Sequence, residues 1–345
     1  MTVATWKRRA QRGAIVAVAV IVVVAAGTAW LWRDRPALAN AAWPAPPAPT
    51  DNNASVTATW LGVTTLLFDD GETQILIDGF FSRPTLWDSV LGRAVVNDAA
   101  TINFALHKFG MRRLVAIIPV HSHFDHAMDV GAIANRTSAS VLGSESTANI
   151  ARGADVPADQ IVVADFAQTY EFGEFRVRLL PSRHAPIGWR GSTPIPGTID
   201  EPLVLPQPIG AWREGGSYSI VIEHPQGTTL VHGSAGFVEG ALKDVPADVV
   251  MLSVGGLTTL DEDYAEKLWL ETVTSTGASK VFPIHFDDFT RPFGEIVPSP
   301  KFLGNLLKTE QWFDAFRATW DQDTQIYLPE FGEPIALYAQ SSSTT

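Results

Sequence analysis

Three histidines and an aspartate fall within six residues, His121-Ser122-His123-Phe124-Asp125-His126, directly after the apolar run Leu114–Val120. No other stretch constrains the fold as strongly. A short apolar run bounded by arginine and histidine reads as a buried strand. Polar side chains gathered at its C-terminal end mark the place where α/β sheets bind ligands. His121 and His123 alternate on an extended segment and therefore point the same way. Asp125 and His126 come as the chain turns into the next helix and face a neighbouring position. Imidazole and carboxylate together suit zinc or another first-row divalent ion. The chain has no cysteine, which excludes disulfides, thiolate zinc sites, iron–sulfur clusters and a cysteine nucleophile. His and carboxylate are the strong ligands that remain.

Around this loop the sequence alternates strands and helices. Ser55–Phe68 is rich in β-branched and aromatic residues, and Asp69-Asp70-Gly71-Glu72 turns it back into Thr73–Asp78, which predicts a β-hairpin. Further strands are expected at Ser140–Gly143, Ile161–Val163, Phe175–Pro181, Tyr218–Glu223, Thr228–His232, Val249–Leu252, Val281–Ile284 and Gln325–Leu328. Helical spacing covers Leu86–Phe109, Met128–Arg136, Asp261–Thr276 and Gln311–Trp320. This mixture reads as a layered α/β sandwich. Pro186–Trp212 differs, with six prolines, two tryptophans and no periodicity. It predicts a long irregular insertion, a kind of segment that is usually functional inside a compact domain.

The H-x-H-x-D-H loop after an apolar strand resembles the metallo-β-lactamase superfamily. Thr59-Trp60-Leu61-Gly62 followed by Gln74-Ile75-Leu76-Ile77-Asp78 is similar to its opening hairpin. Pro181-Ser182-Arg183-His184 and Pro283-Ile284-His285-Phe286 fit its later histidines, each at a strand end. Asp248–Gly256 and the helix after it are similar to the branch that contains ascorbate-phosphate lactonase and N-acylphosphatidylethanolamine phospholipase D. The resemblance runs from Ser55 to Phe289. It implies an αββα four-layer sandwich with a metal site at the sheet edge, His121, His123 and His184 forming one site and Asp125, His126 and His285 a second. One position departs from the pattern. The family places a metal-bridging aspartate where this chain has Ser234, in Leu230-Val231-His232-Gly233-Ser234-Ala235-Gly236. A neutral hydroxyl is a poorer ligand, so the second ion is expected to bind weakly or not at all. His232, on the same strand face, is a candidate substitute ligand or outer partner, and Asp287 and Asp288 are candidates to compensate. His107 and His224 read as surface residues.

The resemblance implies metal-assisted hydrolysis of an ester, lactone, amide or phosphodiester, with zinc as the first expectation and manganese or iron as alternatives. Asp125 would orient the attacking water and handle its proton. An iron oxidoreductase on the same fold, or a degenerate ligand-binding module, are the competing readings. The insertion 186–213 follows His184 and is expected to cap the site. Trp189 and Trp212 would make that cap apolar and Arg190 would meet an anionic head, which suggests a small-molecule or lipid-like substrate.

The N-terminus reads as an address. Ala14–Trp32 is a run of 19 residues without a charge, long enough to cross a hydrocarbon core of about 30 Å. Lys7, Arg8, Arg9 and Arg12 precede it with no acid. The positive-inside rule makes 1–13 a cytoplasmic stub, 14–32 a signal-anchor and everything after it extracytoplasmic. A cleaved signal peptide is the alternative, with Pro36-Ala37-Leu38-Ala39 as its small-residue site. Residues 33–54 are Pro/Ala-rich and read as a semi-rigid spacer with little capacity to pack, leaving 55–345 as the folded domain. From Pro36 onward 19 basic residues face 36 acidic ones. Such an acidic body argues against a phosphate-tracking nucleic-acid binder.

Overall fold

Two seven-stranded sheets lie face to face. The computed structural model describes residues 3–47 and 56–338, with 3–14 as backbone only. The side chains of Lys7, Arg8, Arg9 and Arg12, the start of the expected first strand at Ser55, and residues 48–54 and 339–345 lie outside the described residues. The first sheet runs, edge to edge, Pro334–Ala336, Thr57–Trp60, Leu66–Asp69, Gln74–Ile77, Leu114–Ile118, Ser140–Gly143 and Ile161–Val163. The second runs Gln325–Ile326, Lys280–Ile284, Val249–Ser253, Gly227–His232, Ser217–His224, Phe175–Ser182 and Tyr170–Phe172. Each sheet is parallel at one end and antiparallel at the other.

The period of two along the strands sorts side chains into layers. Ile75, Ile77, Ala116 and Ile118 point into the space between the sheets, where they join Val177, Leu179, Ile220 and Ile222 of the second sheet. Leu76, Ile117 and Val141 face the other way, onto Ile102, Ile133 and Ile150 of the outer helices. Helices Glu262–Trp269 and Leu306–Trp320 cover the second sheet through Leu268, Trp269 and Phe313. Strands buried on both faces and flanked by helices make the four-layer sandwich.

Three expectations are corrected. The first strand of the hairpin is two strands, Thr57–Trp60 and Leu66–Asp69. Between them Gly62 and Val63 adopt φ of 90° and 51°, and a tight turn carries the Val63 carbonyl inward. The span Leu86–Phe109 is two helices, Leu86–Leu91 and Ala99–Lys108. Gly92 ends the first in a left-handed cap, and the Asp98 carboxylate accepts from the Ala100 and Thr101 amides to begin the second.

The third correction concerns the N-terminal spacer. Residues 33–47 pack on the body. Arg35 pairs with Asp288 at 2.7 Å and donates to the Pro298 carbonyl at 2.8 Å. Asp34 meets Lys301 at 2.7 Å. Glu310 accepts from the Ala42 and Trp43 amides, and the Trp43 indole is buried against Phe313 while donating to Asp314. A Pro/Ala-rich segment is short of side chains to bury, but one tryptophan and one arginine suffice to dock it. Trp43→Ala should destabilise the body by about 3 kcal/mol, read as a lower midpoint in urea unfolding. An unchanged midpoint would mean that this segment is only loosely held.

Candidate metal centre

His121, His184, Ser234 and His285 each sit just beyond the C-terminal end of a strand, and Asp125 and His126 follow His121 in the helix Phe124–Ala127. Leu114–Ile118 leads to His121, Phe175–Ser182 to His184, Gly227–His232 to Ser234 and Lys280–Ile284 to His285. The cleft at the carboxyl ends of parallel strands is where α/β folds leave room for a ligand. Here both sheets contribute to one such cleft.

His121, His123 and His184 bring ligand atoms within 4.8 Å of one another, and so do Asp125, His126 and His285. Nε2 of His121 and Nδ1 of His123 lie 3.0 Å apart. The other nitrogen of His123 meets the Pro194 carbonyl at 3.0 Å, and Nδ1 of His184 meets the Ala185 carbonyl at 2.9 Å, which leaves Nε2 of His184 free to face the cluster. In the second triad, Oδ2 of Asp125 is 3.5 Å from Nε2 of His285 and 3.7 Å from Nε2 of His126. All six side chains are buried or nearly so. Six buried donors, five imidazoles and one carboxylate, have the chemistry of a site for one or two divalent ions.

The electrostatics of the first triad agree with that use, whereas at His126 burial is outweighed by the charges of Asp78 and Asp125 and the imidazole is pushed up. Burial pushes the His121 and His123 imidazoles down, with neighbouring imidazoles adding to the effect at His121. His184 is lowered to about 4 by burial and by His123. Neutral imidazole is the form that binds metal. For Asp125 burial favours the neutral acid, but the charge of His126 and the hydrogen bond and charge of His285 outweigh it and hold the carboxyl well below the usual range.

Asp78, which the sequence reading used only as part of a strand motif, organises the loop. Its Oδ2 lies 2.7 Å from Nδ1 of His126 and its Oδ1 accepts from the Val120 amide at 2.8 Å. A carboxylate on one imidazole nitrogen turns the other toward the metal side and sets the tautomer. Its position one residue after an apolar strand, beside the histidine-bearing strand, was the available signal. His285 is held in another way. Its φ of 61° lies in the left-handed region, and the Val63 carbonyl accepts from its amide at 2.9 Å. Gly255 lies so close that an added Cβ would stand 2.9 Å from Nδ1 of the ring. Backbone strain of this kind persists where the surroundings enforce it and concentrates at functional sites.

The remaining candidates separate. Ser234 lines the cavity, and its hydroxyl accepts from the Ala185 amide at 2.9 Å, beside His184. The turn after it lies against the His184 backbone, where only glycine fits at 236 because a Cβ would come within 2.4 Å of that backbone. Both ring nitrogens of His232 are engaged, one with Ser219 Oγ at 2.9 Å and one with the Gly236 carbonyl at 2.7 Å, so it braces the Ser234 turn. Asp287 accepts from the Val63 amide and faces Arg83, and Asp288 pairs with Arg35. Asp288 lines the cavity, but its carboxylate is taken by Arg35 and by the Thr290 hydroxyl. Trp212 does not cap the site. It is buried in the core beneath the outer helices, because the insertion folds back there with Ile199. Trp189 is 83% exposed, with Arg190 over its ring, and neither lines the cavity. Ile187, Pro194, Ile195 and Ile209 are the parts of the insertion that do. His107 is exposed as expected, whereas His224 is half-buried against Phe175 and 3.7 Å from Asp70.

His232 also gives the metal-free chain a pH dependence. Burial lowers it to about 4, against an ordinary value of 6.5. Between those values the unfolded chain binds the proton and the folded chain does not, so stability falls as pH falls through that window. Wild type should lose about 3 kcal/mol more than His232→Asn between pH 7 and pH 4, measured by urea unfolding in chelator. Parallel pH profiles for the two proteins would contradict this.

No family model matches the chain. It is similar to a metal-dependent hydrolase of the UPF0173 group from Carboxydothermus hydrogenoformans, 28% identical over 199 residues, which is 56% of this chain and 76% of that protein. Among solved structures it is similar to a possible metal-dependent hydrolase from Veillonella parvula, with a TM-score of 0.52, 16% identity and coverage of 82% of this chain and all of that one. It is also similar to CmlA, a diiron β-hydroxylase from Streptomyces venezuelae, with a TM-score of 0.52, 13% identity and coverage of 84% of this chain and 55% of that one. The chain shares the layered α/β sandwich fold of these two solved structures.

Proposed function

We propose that the two triads hold one or two zinc ions, and that the chain hydrolyses an ester, lactone or phosphodiester of an amphiphilic substrate from a membrane anchor. The convergence of six buried donors at the floor of one apolar cavity carries this reading. A divalent ion bound by such donors lowers the pKa of water towards neutrality and polarises the electrophile. Asp125, ionised throughout the neutral range, faces both His126 and His285 and is placed to orient the attacking water. His126 keeps its geometry through Asp78. The cavity of about 350 Å³ is walled by Phe124, Ile187, Ile195, Ile209 and Phe289, which exclude water and accept an apolar group. The resemblance of Asp248–Gly256 to the lactonase and phospholipase D branch agrees with such a substrate. The helix Val3–Arg33 contains Ile15–Arg33, with a mean hydropathy of 2.5 and every side chain exposed except a half-buried Trp32. We read it as a span with the body on the extracytoplasmic side.

Metal analysis of the purified full chain, paired with an ester, lactone and phosphodiester panel, tests this. His121→Ala combined with His123→Ala should lose bound metal and turnover together. Turnover retained in that double variant would overturn the assignment, and stoichiometric iron would overturn zinc. Ser234→Asp keeps an acceptor for the Ala185 amide and adds a negative charge beside both triads. It should raise the metal-to-protein ratio toward two ions. An unchanged ratio would show that Ser234 does not limit the second site.

A further inference from the structure

The end of the apolar helix is part of the cavity. Trp32, in its last turn, lines the same space as the histidines, together with Leu86, Ile187 and Leu303. The helix is not free to swing away from the body. Within four residues of its end, Trp32 packs on Phe302 with ring centroids 5.4 Å apart, Asp34 meets Lys301, and Arg35 is clamped by Asp288 and the Pro298 carbonyl. A helix rising about 1.5 Å per residue places Trp32 at the far interface of the layer that Ile15 enters. The cavity mouth is thus held at the membrane surface.

The three segments that frame this mouth all carry large apolar side chains facing outward. On Leu86–Leu91, Leu86 and Ser89 line the cavity while Trp87 and Leu91 are 64% and 57% exposed. Beside Ile187, Trp189 is 83% exposed, with Arg190 stacked over it. Next to Leu303, Phe302 is exposed as well. A contiguous apolar rim with a cation beside it, continuous with an apolar helix, matches a lipid surface better than water or a soluble partner. No aqueous substrate requires such a rim.

We propose that this rim is immersed in the bilayer interface, and that the substrate is an acyl lipid whose chain passes from the membrane into the cavity while its hydrolysable head reaches the histidines. The proposal rests on the membrane-anchor reading of the helix and is independent of which metal is bound. Because the chain has no cysteine, single cysteines report position cleanly. Nitroxides would be attached to Trp87→Cys, Leu91→Cys and Trp189→Cys in the full chain in phosphatidylcholine–phosphatidylglycerol vesicles. Controls at Glu72 and Glu174 lie at the opposite end of the sheets, where Gly173 meets Thr73. The three rim labels should be about ten-fold less accessible to a water-soluble nickel chelate than the controls, and more accessible to oxygen. Equal aqueous access at rim and control sites would overturn the immersed rim. Vesicles containing phosphatidylcholine with a diazirine on its acyl chain give the second readout. Crosslinks to peptides bearing Ile187 and Leu303 are expected, and crosslinks confined to the helix would overturn acyl entry. The hydrolysis of that lipid rests on the proposed function, but neither readout depends on turnover, so loss of metal binding or activity would sink the hydrolase reading while the immersed rim and acyl entry stand or fall on these two measurements.

Discussion

One buried carboxylate holds the histidine loop at both ends. Asp78 takes the Val120 amide, where the strand stops, and the His126 imidazole, where the helix begins. It is fully buried, and burial pushes its carboxyl up while His126 opposes the rise. Isolated, such a group would be costly, and removing one partner of a buried pair typically costs about 3–5 kcal/mol. Everything else at the site is arranged around a loop whose ends cannot move. The backbone adds to this, since Gly79 donates to the His126 carbonyl and Asp129 to that of Gly79.

The second sheet supplies the other half of the site by different means. His184 and Ser234 are brought together by a turn that glycine lets lie flat against backbone, and His232 braces that turn from behind. His285 is held in a strained conformation by the Val63 carbonyl from the opposite sheet. The break in the first hairpin therefore has a purpose, because a continuous strand would not deliver that carbonyl. The two triads are unequal, three imidazoles against two with an aspartate.

The N-terminal region joins these two themes. Residues expected only to space the body from a membrane instead bind it through Arg35, Trp43 and Glu310. The same contacts that dock the spacer set the orientation of the apolar helix, and Trp32 closes one wall of the cavity. The apolar helix and the site are one structure, so where the helix ends decides what the cavity faces.

Much of the fold was readable along the chain because strands buried on both faces advertise themselves as short apolar runs, and a histidine cluster after one of them has few innocent explanations. The split of Leu86–Phe109 and the docking of 35–47 were hidden, since one depends on a left-handed glycine cap and the other on single side chains meeting partners more than 250 positions away. Trp212 shows the limit in the cap: tryptophan in an aperiodic insertion looks like a ligand wall, and only the path of the backbone revealed it as core. Sequence alone determined the donor types, the absence of thiolates and the strand-end placement of each histidine, because these are properties of residues and their near neighbours. Which nitrogens face one another, that Asp78 orients His126, and that Trp32 borders the cavity were decided by tertiary structure, since each is a contact between segments far apart in the chain whose distance no local pattern encodes.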